Sequence, residues 1–296
     1  MSKEKDKIEY HYGFYGAMRC RYECGFTSKE LELRQEIELG ARPVRTDAIF
    51  LIYLEANPFT DLLGGRFDKR NVIEYKGPDD SLSIDGISKV LGYAFDYKSG
   101  GRTVNEIPFE EMRVFIFCYM YPREAFATLD GMGLNISEAG PGIYCVDWIP
   151  YLPVHVILIP ELPEGYEELK ILAPGAAKED LLKVLANASK HQDQGYLENI
   201  KAVLRISMAA NSELYQEIRE ESIMVDVFER IFAKELKTER TEGRAEGRLE
   251  GALNMLFSLV GDGILPLDAA SAKAGMTLDE FKAKMKGWSK EALTNS

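Results

Sequence analysis

Histidine, tryptophan and cysteine are scarce in this chain: three, two and four copies among 296 residues. Their placement excludes several functions. His11, His155 and His191 are scattered, so no HExxH pair is available to a zinc protease. Cys20, Cys24, Cys118 and Cys145 lack the paired spacing of a zinc site. Cys20 and Cys24 fit one helix face as small packing residues. A Walker A loop and a GxSxG elbow are also missing, which leaves P-loop NTPases and α/β-hydrolases without a motif.

Long apolar runs are missing too. Runs such as Ala48–Leu54 and Val114–Cys118 fall well short of the roughly 20 residues that span a bilayer. Met1–Lys7 is charged with no apolar region behind it, unlike a secretory signal, and a cytoplasmic protein with no membrane partner is expected. Basic excess is absent: the net charge is −12, of which −3 falls in residues 1–120 and −9 in the remainder. A tight non-specific nucleic-acid binder needs the opposite balance. A local basic rim from Arg19, Arg21, Arg66, Lys69, Arg70 and Lys89 would still permit transient DNA contact.

What is present is ordinary globular chemistry, 46% hydrophobic and 28% charged, at a length suited to one large domain or two smaller ones. Within it, Val72-Ile73-Glu74-Tyr75-Lys76 reads as a strand stopped by Gly77-Pro78. Side chains alternate along a strand, so Glu74 and Lys76 share a face and Tyr75 takes the other. Upstream, Asp47 leads into Ala48–Leu54, which is apolar on both faces and reads as a buried strand. If the two strands are neighbours, Asp47, Glu74 and Lys76 converge. Two carboxylates beside an ammonium suit Mg²⁺, with Mn²⁺ as the alternative, because such cations take oxygen ligands at roughly 2 Å and keep several waters. The plainer reading of the same residues is a Glu74–Lys76 ion pair with Asp47 capping a strand end.

The pattern resembles the PD-(D/E)XK nuclease superfamily, with Asp47 as its first acid and Glu74-Tyr75-Lys76 as its E-X-K; Thr46 stands where the family often has proline. Together with His11–Ala17, Ser83-Ile84-Asp85, Lys89–Tyr93, Gly142-Ile143-Tyr144 and Pro153–Val156, it resembles the recombination-promoting nuclease (Rpn-like, transposase-associated) branch over roughly residues 8–160. The resemblance implies an α/β, restriction-endonuclease-like core of order αβββαβ, a mixed sheet flanked by helices. It also implies metal-dependent DNA cleavage, with Asp47 and Glu74 holding the metal and Lys76 as the third catalytic residue. Many superfamily members carry another acid on the first helix, for which Glu9 and Glu23 are the candidates. Some carry a polar residue and a tyrosine four apart on the helix after the E-X-K strand. Lys89 and Tyr93 occupy those places and are the nucleic-acid-binding candidates, although an Asp85–Lys89 pair is the local alternative.

Elsewhere, Leu31–Leu39 alternates apolar and polar and reads as a half-exposed strand near an edge. Ser83 caps a helix reaching about Lys98, Met112–Tyr119 is a buried strand, and a short helix follows Pro122. Residues 142–146 and 154–159 are further strands, with His155 read as a satisfied core histidine. From Ala176 to about Lys237 the apolar spacing is helical, with a break expected at Gly195. In residues 239–251 Glu, Gly and Arg recur every four positions, a marginal helix alone that reads either as one ordering on self-association or docking or as a mobile linker. Residues 267–281 read helix, turn, helix, with Asp279 and Glu280 opening the second helix where a groove reader would meet phosphate. The expected organisation is a nuclease-like core at 1–160, a helical region at 161–235, and the Glu-Gly-Arg helix with a small hairpin at 236–296. A homo-oligomer formed through these C-terminal helices is expected.

Overall fold

The structure, a computed structural model, describes residues 10–39, 44–218 and 267–294, with Val227, Ile231, Leu256, Phe257 and Val260. It is an α/β protein. In order come α1 (Tyr10–Tyr22), β1 (Leu31–Leu39), β2 (Val44–Ile52), β3 (Arg70–Tyr75), α2 (Ile84–Ser99), β4 (Met112–Cys118), α3 (Arg123–Gly131), β5 (Ile136–Gly140), β6 (Ile143–Ile149) and β7 (Leu152–Leu158). The helices α4 (Glu167–Lys170), α5 (Lys178–Lys190), α6 (Gln194–Ala210) and α7 (Ser212–Glu217) follow, and α8 (Leu267–Lys273) and α9 (Leu278–Thr294) lie near the C-terminus.

The strands form one seven-stranded mixed sheet in the order β1-β2-β3-β4-β7-β6-β5. The β3–β4 and β4–β7 pairs are parallel and the others antiparallel. Parallel pairing needs a crossover between strands, and α2 supplies it between β3 and β4. The central strands are covered on both faces, which is why β4 carries an unbroken apolar run. On one face Val72, Val114, Ile116, Val154 and Val156 pack against Ile87, Val90, Leu91 and Ala94 of α2 and against Phe126 and Leu129 of α3. On the other, Phe14 of α1 stacks on Tyr75 at 4.3 Å and meets Phe117 edge-on at 5.0 Å. Strand β1 is an edge strand whose Leu31 and Leu33 are buried and whose Arg34 is exposed, as its alternation requires.

Helix α1 contains Gly13 and Gly16, poor helix formers that the fold needs. A Cβ at Gly16 would lie 2.6 Å from the Asn199 carbonyl oxygen of α6, and one at Gly13 would lie 2.6 Å from Leu172. The two glycines therefore let α6 come close, and α1 is fixed between α6 and the sheet. A half-buried polar network fixes its C-terminal end. The Arg21 guanidinium lies 3.7 Å from the Tyr166 ring centroid and 3.2 Å from Asp61, and the Tyr166 hydroxyl donates to Asp61 while accepting the Leu63 N–H.

The helical segment after β7 belongs to the same compact unit as the sheet, Met1–Ile231, and Phe232–Ser296 form a second unit. The helical break expected at Gly195 falls at residues 191–193. There the Asp193 side chain accepts the Tyr196 N–H and caps α6, and Gly195 sits inside the first turn. In the second unit Phe257, Ala270 and Phe281 form a small apolar cluster. Thr277 and Glu280 make a capping box at the start of α9, since the Glu280 carboxylate accepts from both the N–H and the hydroxyl of Thr277. The Glu-Gly-Arg repeat at 239–251 lies outside the described residues. Among the described residues no helix is long and apolar enough to cross a membrane.

Candidate active site

Strands β2 and β3 pair from Leu51–Arg70 to Ala48–Ile73 and then part. The next residues on each strand are Asp47 and Glu74. In place of the next rung, the Asp47 carboxylate accepts the Tyr75 main-chain N–H at 2.8 Å. Across β2, the β1 ladder passes from Gln35–Ala48 to Ile37–Thr46, and Glu36 between them has a φ of 48°, uncommon for a residue with a side chain. The separation leaves two acids side by side where a continuous sheet would have closed over them.

Glu74 shares a face with Val72, so it points toward α2, and it is only 5% exposed. The Lys76 ammonium donates to its carboxylate at 2.7 Å. Burial raises the Glu74 pKa first and the Asp47 charge raises it further, opposed by Lys76 and by the more distant Lys89. Lys89, on α2, lies 5.4 Å from the centre of the buried Tyr93 ring. Its own pKa is raised, first by its contact with the Tyr93 hydroxyl and further by the Glu74 and Asp47 carboxylates. Asp47, Glu74, Lys76, Lys89 and Tyr93 are thus brought into one neighbourhood.

The α1 side adds residues that strand patterns do not reveal. His11 lies with Nε2 3.6 Å from an Asp47 carboxylate oxygen, and the Tyr15 hydroxyl donates to the Asp47 main-chain carbonyl at 3.1 Å. The Asp47 contact raises the His11 pKa against the opposing effect of burial, with Glu74 and Asp80 adding to the rise. Burial pushes the Tyr15 hydroxyl up, helped by Asp47, Glu36 and Glu74. The signal in the sequence was the spacing of His11, Phe14 and Tyr15, which share one face of a helix.

Of the first-helix acids, Glu23 serves elsewhere. Its carboxylate accepts the Leu33 N–H and pairs with Arg19 at 3.2 Å. Glu9 lies outside the described residues. The expected basic rim is also corrected. Arg21 is committed to Asp61, Lys69 and Arg70 to Glu111, and Arg66 to the Ala139 carbonyl. Nearby acids offset the charges of Arg21, Lys69 and Arg70 within the fold, and Arg66 is held by a main-chain carbonyl. His155 is a core residue, with Nδ1 3.1 Å from the Cys145 sulfur and its ring 4.8 Å from Phe115.

Chemically, Asp47 and Glu74 offer hard oxygen donors of the kind Mg²⁺ and Mn²⁺ accept, and the strain of one carboxylate on the other would be relieved by a cation between them. The donor set fits as a two-carboxylate site completed by water and phosphate. Among the described residues no group of three or more His, Cys, Asp and Glu side chains is placed to hold a metal ion. Comparison with protein-family models, curated proteins and solved structures found no match to the chain.

Proposed function

We propose that the chain is a Mg²⁺- or Mn²⁺-dependent DNA endonuclease of the PD-(D/E)XK, Rpn-like type, built on a restriction-endonuclease-like αβββαβ core and working in the cytoplasm. The observation that carries this reading is the parting of β2 and β3 beyond Ala48–Ile73, where Asp47 and Glu74 sit together with Lys76 alongside. Asp47 and Glu74 would hold the cation. When bound, a divalent cation neutralises charge on the phosphate and lowers the pKa of a coordinated water. Lys76 positions the attacking water and stabilises the negative charge that builds on the phosphate during in-line displacement. Lys89, at the mouth of the site on α2, contacts a substrate phosphate, and Tyr93 holds the lysine stem in place. Because the rim arginines are paired, DNA contact is transient and confined to the site.

The direct test is nicking of supercoiled plasmid with Mg²⁺ by wild type, Asp47→Ala and Lys76→Ala. Wild type nicks, and each variant loses about 100-fold or more. Equal cleavage by all three removes these residues from the chemistry.

A second reading has its own observation: Glu74 is almost fully enclosed and already neutralised by Lys76 at 2.7 Å. An ion pair complete in itself fits a catalytically inactive nuclease fold that serves as a protein-interaction module, self-assembling through the C-terminal helices into a homo-oligomer. Absence of Mg²⁺ and Mn²⁺ binding by the wild type, with a concentration-dependent oligomer, would favour it.

A further inference from the structure

We propose that His11 is a positioning residue for Asp47: it holds one carboxylate oxygen so that the other is presented to the cation. The inference rests on the reading of Asp47 as a cation ligand.

Three side chains on one face of α1 reach the open end of the β2–β3 pair. Tyr15 donates to the Asp47 carbonyl at 3.1 Å, Phe14 stacks on Tyr75 at 4.3 Å, and His11 meets both the Tyr75 ring and the Asp47 carboxylate. Residues at i, i+3 and i+4 of a helix lie on the same side, so one rigid element sets all three contacts. The element is rigid because Gly13 and Gly16 seat α1 against α6 and Phe14 locks it to the sheet. The imidazole itself is held edge-on to Tyr75, at 5.2 Å and 79°.

The contact falls on a particular atom. Asp47 Oδ2 takes the Tyr75 N–H at 2.8 Å, and the same Oδ2 faces His11 Nε2 at 3.6 Å. Both of these contacts therefore sit on one oxygen, Oδ2, and neither engages Oδ1. A carboxylate oriented this way loses less freedom on binding a cation than one free to rotate. Groups that orient ligands without touching the metal typically contribute 10–100-fold in affinity. His11 also places an imidazole nitrogen beside the Asp47 carboxylate.

The test is Mn²⁺ binding, read by electron paramagnetic resonance and by calorimetry at one fixed pH, so that the readout does not depend on cleavage. The variants are His11→Ala, His11→Gln and Asp47→Ala, with circular dichroism confirming the fold of each. Asp47→Ala abolishes binding, His11→Ala weakens it about 10-fold, and His11→Gln, whose amide can still donate, recovers most of the loss. Should Asp47→Ala abolish binding while His11→Ala keeps wild-type affinity, the positioning role is overturned and the metal site stands. A loss in His11→Ala as complete as in Asp47→Ala, without rescue by glutamine, would make His11 a direct ligand and overturn the proposal in the other direction. Wild-type affinity in Asp47→Ala, or none in the wild type, removes the metal-site reading itself and the role of His11 with it.

Discussion

The Asp47 carboxylate accepts the Tyr75 main-chain N–H at 2.8 Å, at the point where β2 and β3 have stopped pairing. A side chain thus does what a strand carbonyl would have done. Asp47→Ala orphans a buried donor, and the expected destabilisation is about 1–3 kcal/mol. Asp47→Asn keeps an oxygen for that N–H and should cost less than half as much. Urea unfolding of the two variants measures the difference. If alanine is as stable as asparagine, the contact does not organise the strand ends.

Glu74 gives the site a pH signature. Burial and Asp47 raise its pKa in the fold, so the native state holds a proton that the unfolded chain gives up near pH 4.5. Where the native state binds more protons, stability falls as pH rises. The contribution of Glu74 is therefore greatest in acid and is lost as pH climbs from about 4.5 through the raised folded value. Lys76 limits that loss through its 2.7 Å contact. Glu74→Gln should remove this slope and Lys76→Ala should steepen it, both read from urea midpoints between pH 4.5 and 7. A fall in stability with rising pH that is larger in Glu74→Gln than in wild type would reverse the assignment.

Much of this arrangement is legible in the sequence because it is local. Asp47, Glu74 and Lys76 stand out as charges on otherwise apolar strands, and period-two alternation fixes which of them share a face. Ser83, Pro122 and the apolar run at 114–118 announce α2, α3 and β4 for the same reason. Long-range relationships are not legible. His11 looks like one aromatic among many until α1 is docked on the sheet, and Gly13 and Gly16 read as helix breakers until α6 lies against them. Strand β5, Ile-Ser-Glu-Ala-Gly, is short and half exposed, so it carries no period to read. Helix α4 is four residues long and has the same difficulty. The rim arginines fail as a forecast because pairing is decided in three dimensions: Glu111, forty residues on, takes both Lys69 and Arg70.

Gly16 separates helix propensity from packing. Alanine is the better helix former by about 1 kcal/mol, so propensity alone favours Gly16→Ala. Its Cβ, however, would sit 2.6 Å from a backbone oxygen of α6, which cannot move without shifting the helix. Overpacking of this kind costs typically 1–3 kcal/mol, and the net expectation is destabilisation by about 1 kcal/mol or more. Thermal unfolding decides it, and a raised Tm in Gly16→Ala would mean that α1 and α6 are less tightly seated than these distances require.

Tyr166 is the hub of the other end of α1. Its hydroxyl donates to Asp61 and accepts the Leu63 N–H, and its ring lies under Arg21. Tyr166→Phe keeps the ring and its cation–π contact while orphaning the Leu63 N–H, at an expected cost of about 1–3 kcal/mol. Tyr166→Leu removes the ring as well and should cost more. Equal stabilities for the two variants would mean that the stacked guanidinium adds nothing.

His155 supplies a second, opposite pH dependence. It is 6% exposed, and burial, with Arg66 and Arg113 nearby, lowers its pKa from 6.5 to about 4. Between those values the unfolded chain takes up a proton that the native state refuses. Stability from this residue is complete above pH 6.5 and falls as the pH drops toward 4. A shift of this size corresponds to about 3 kcal/mol at the acid end. The imidazole is held neutral with Nδ1 against the Cys145 sulfur at 3.1 Å, so His155→Gln should lose the acid sensitivity while giving up some stability at pH 7 through poorer packing on Phe115. Urea midpoints at pH 4.5 and 7 separate the two effects. The wild type should lose more stability than the variant on going to acid. Parallel losses would show that His155 takes up its proton without opening the β6–β7 pair around it.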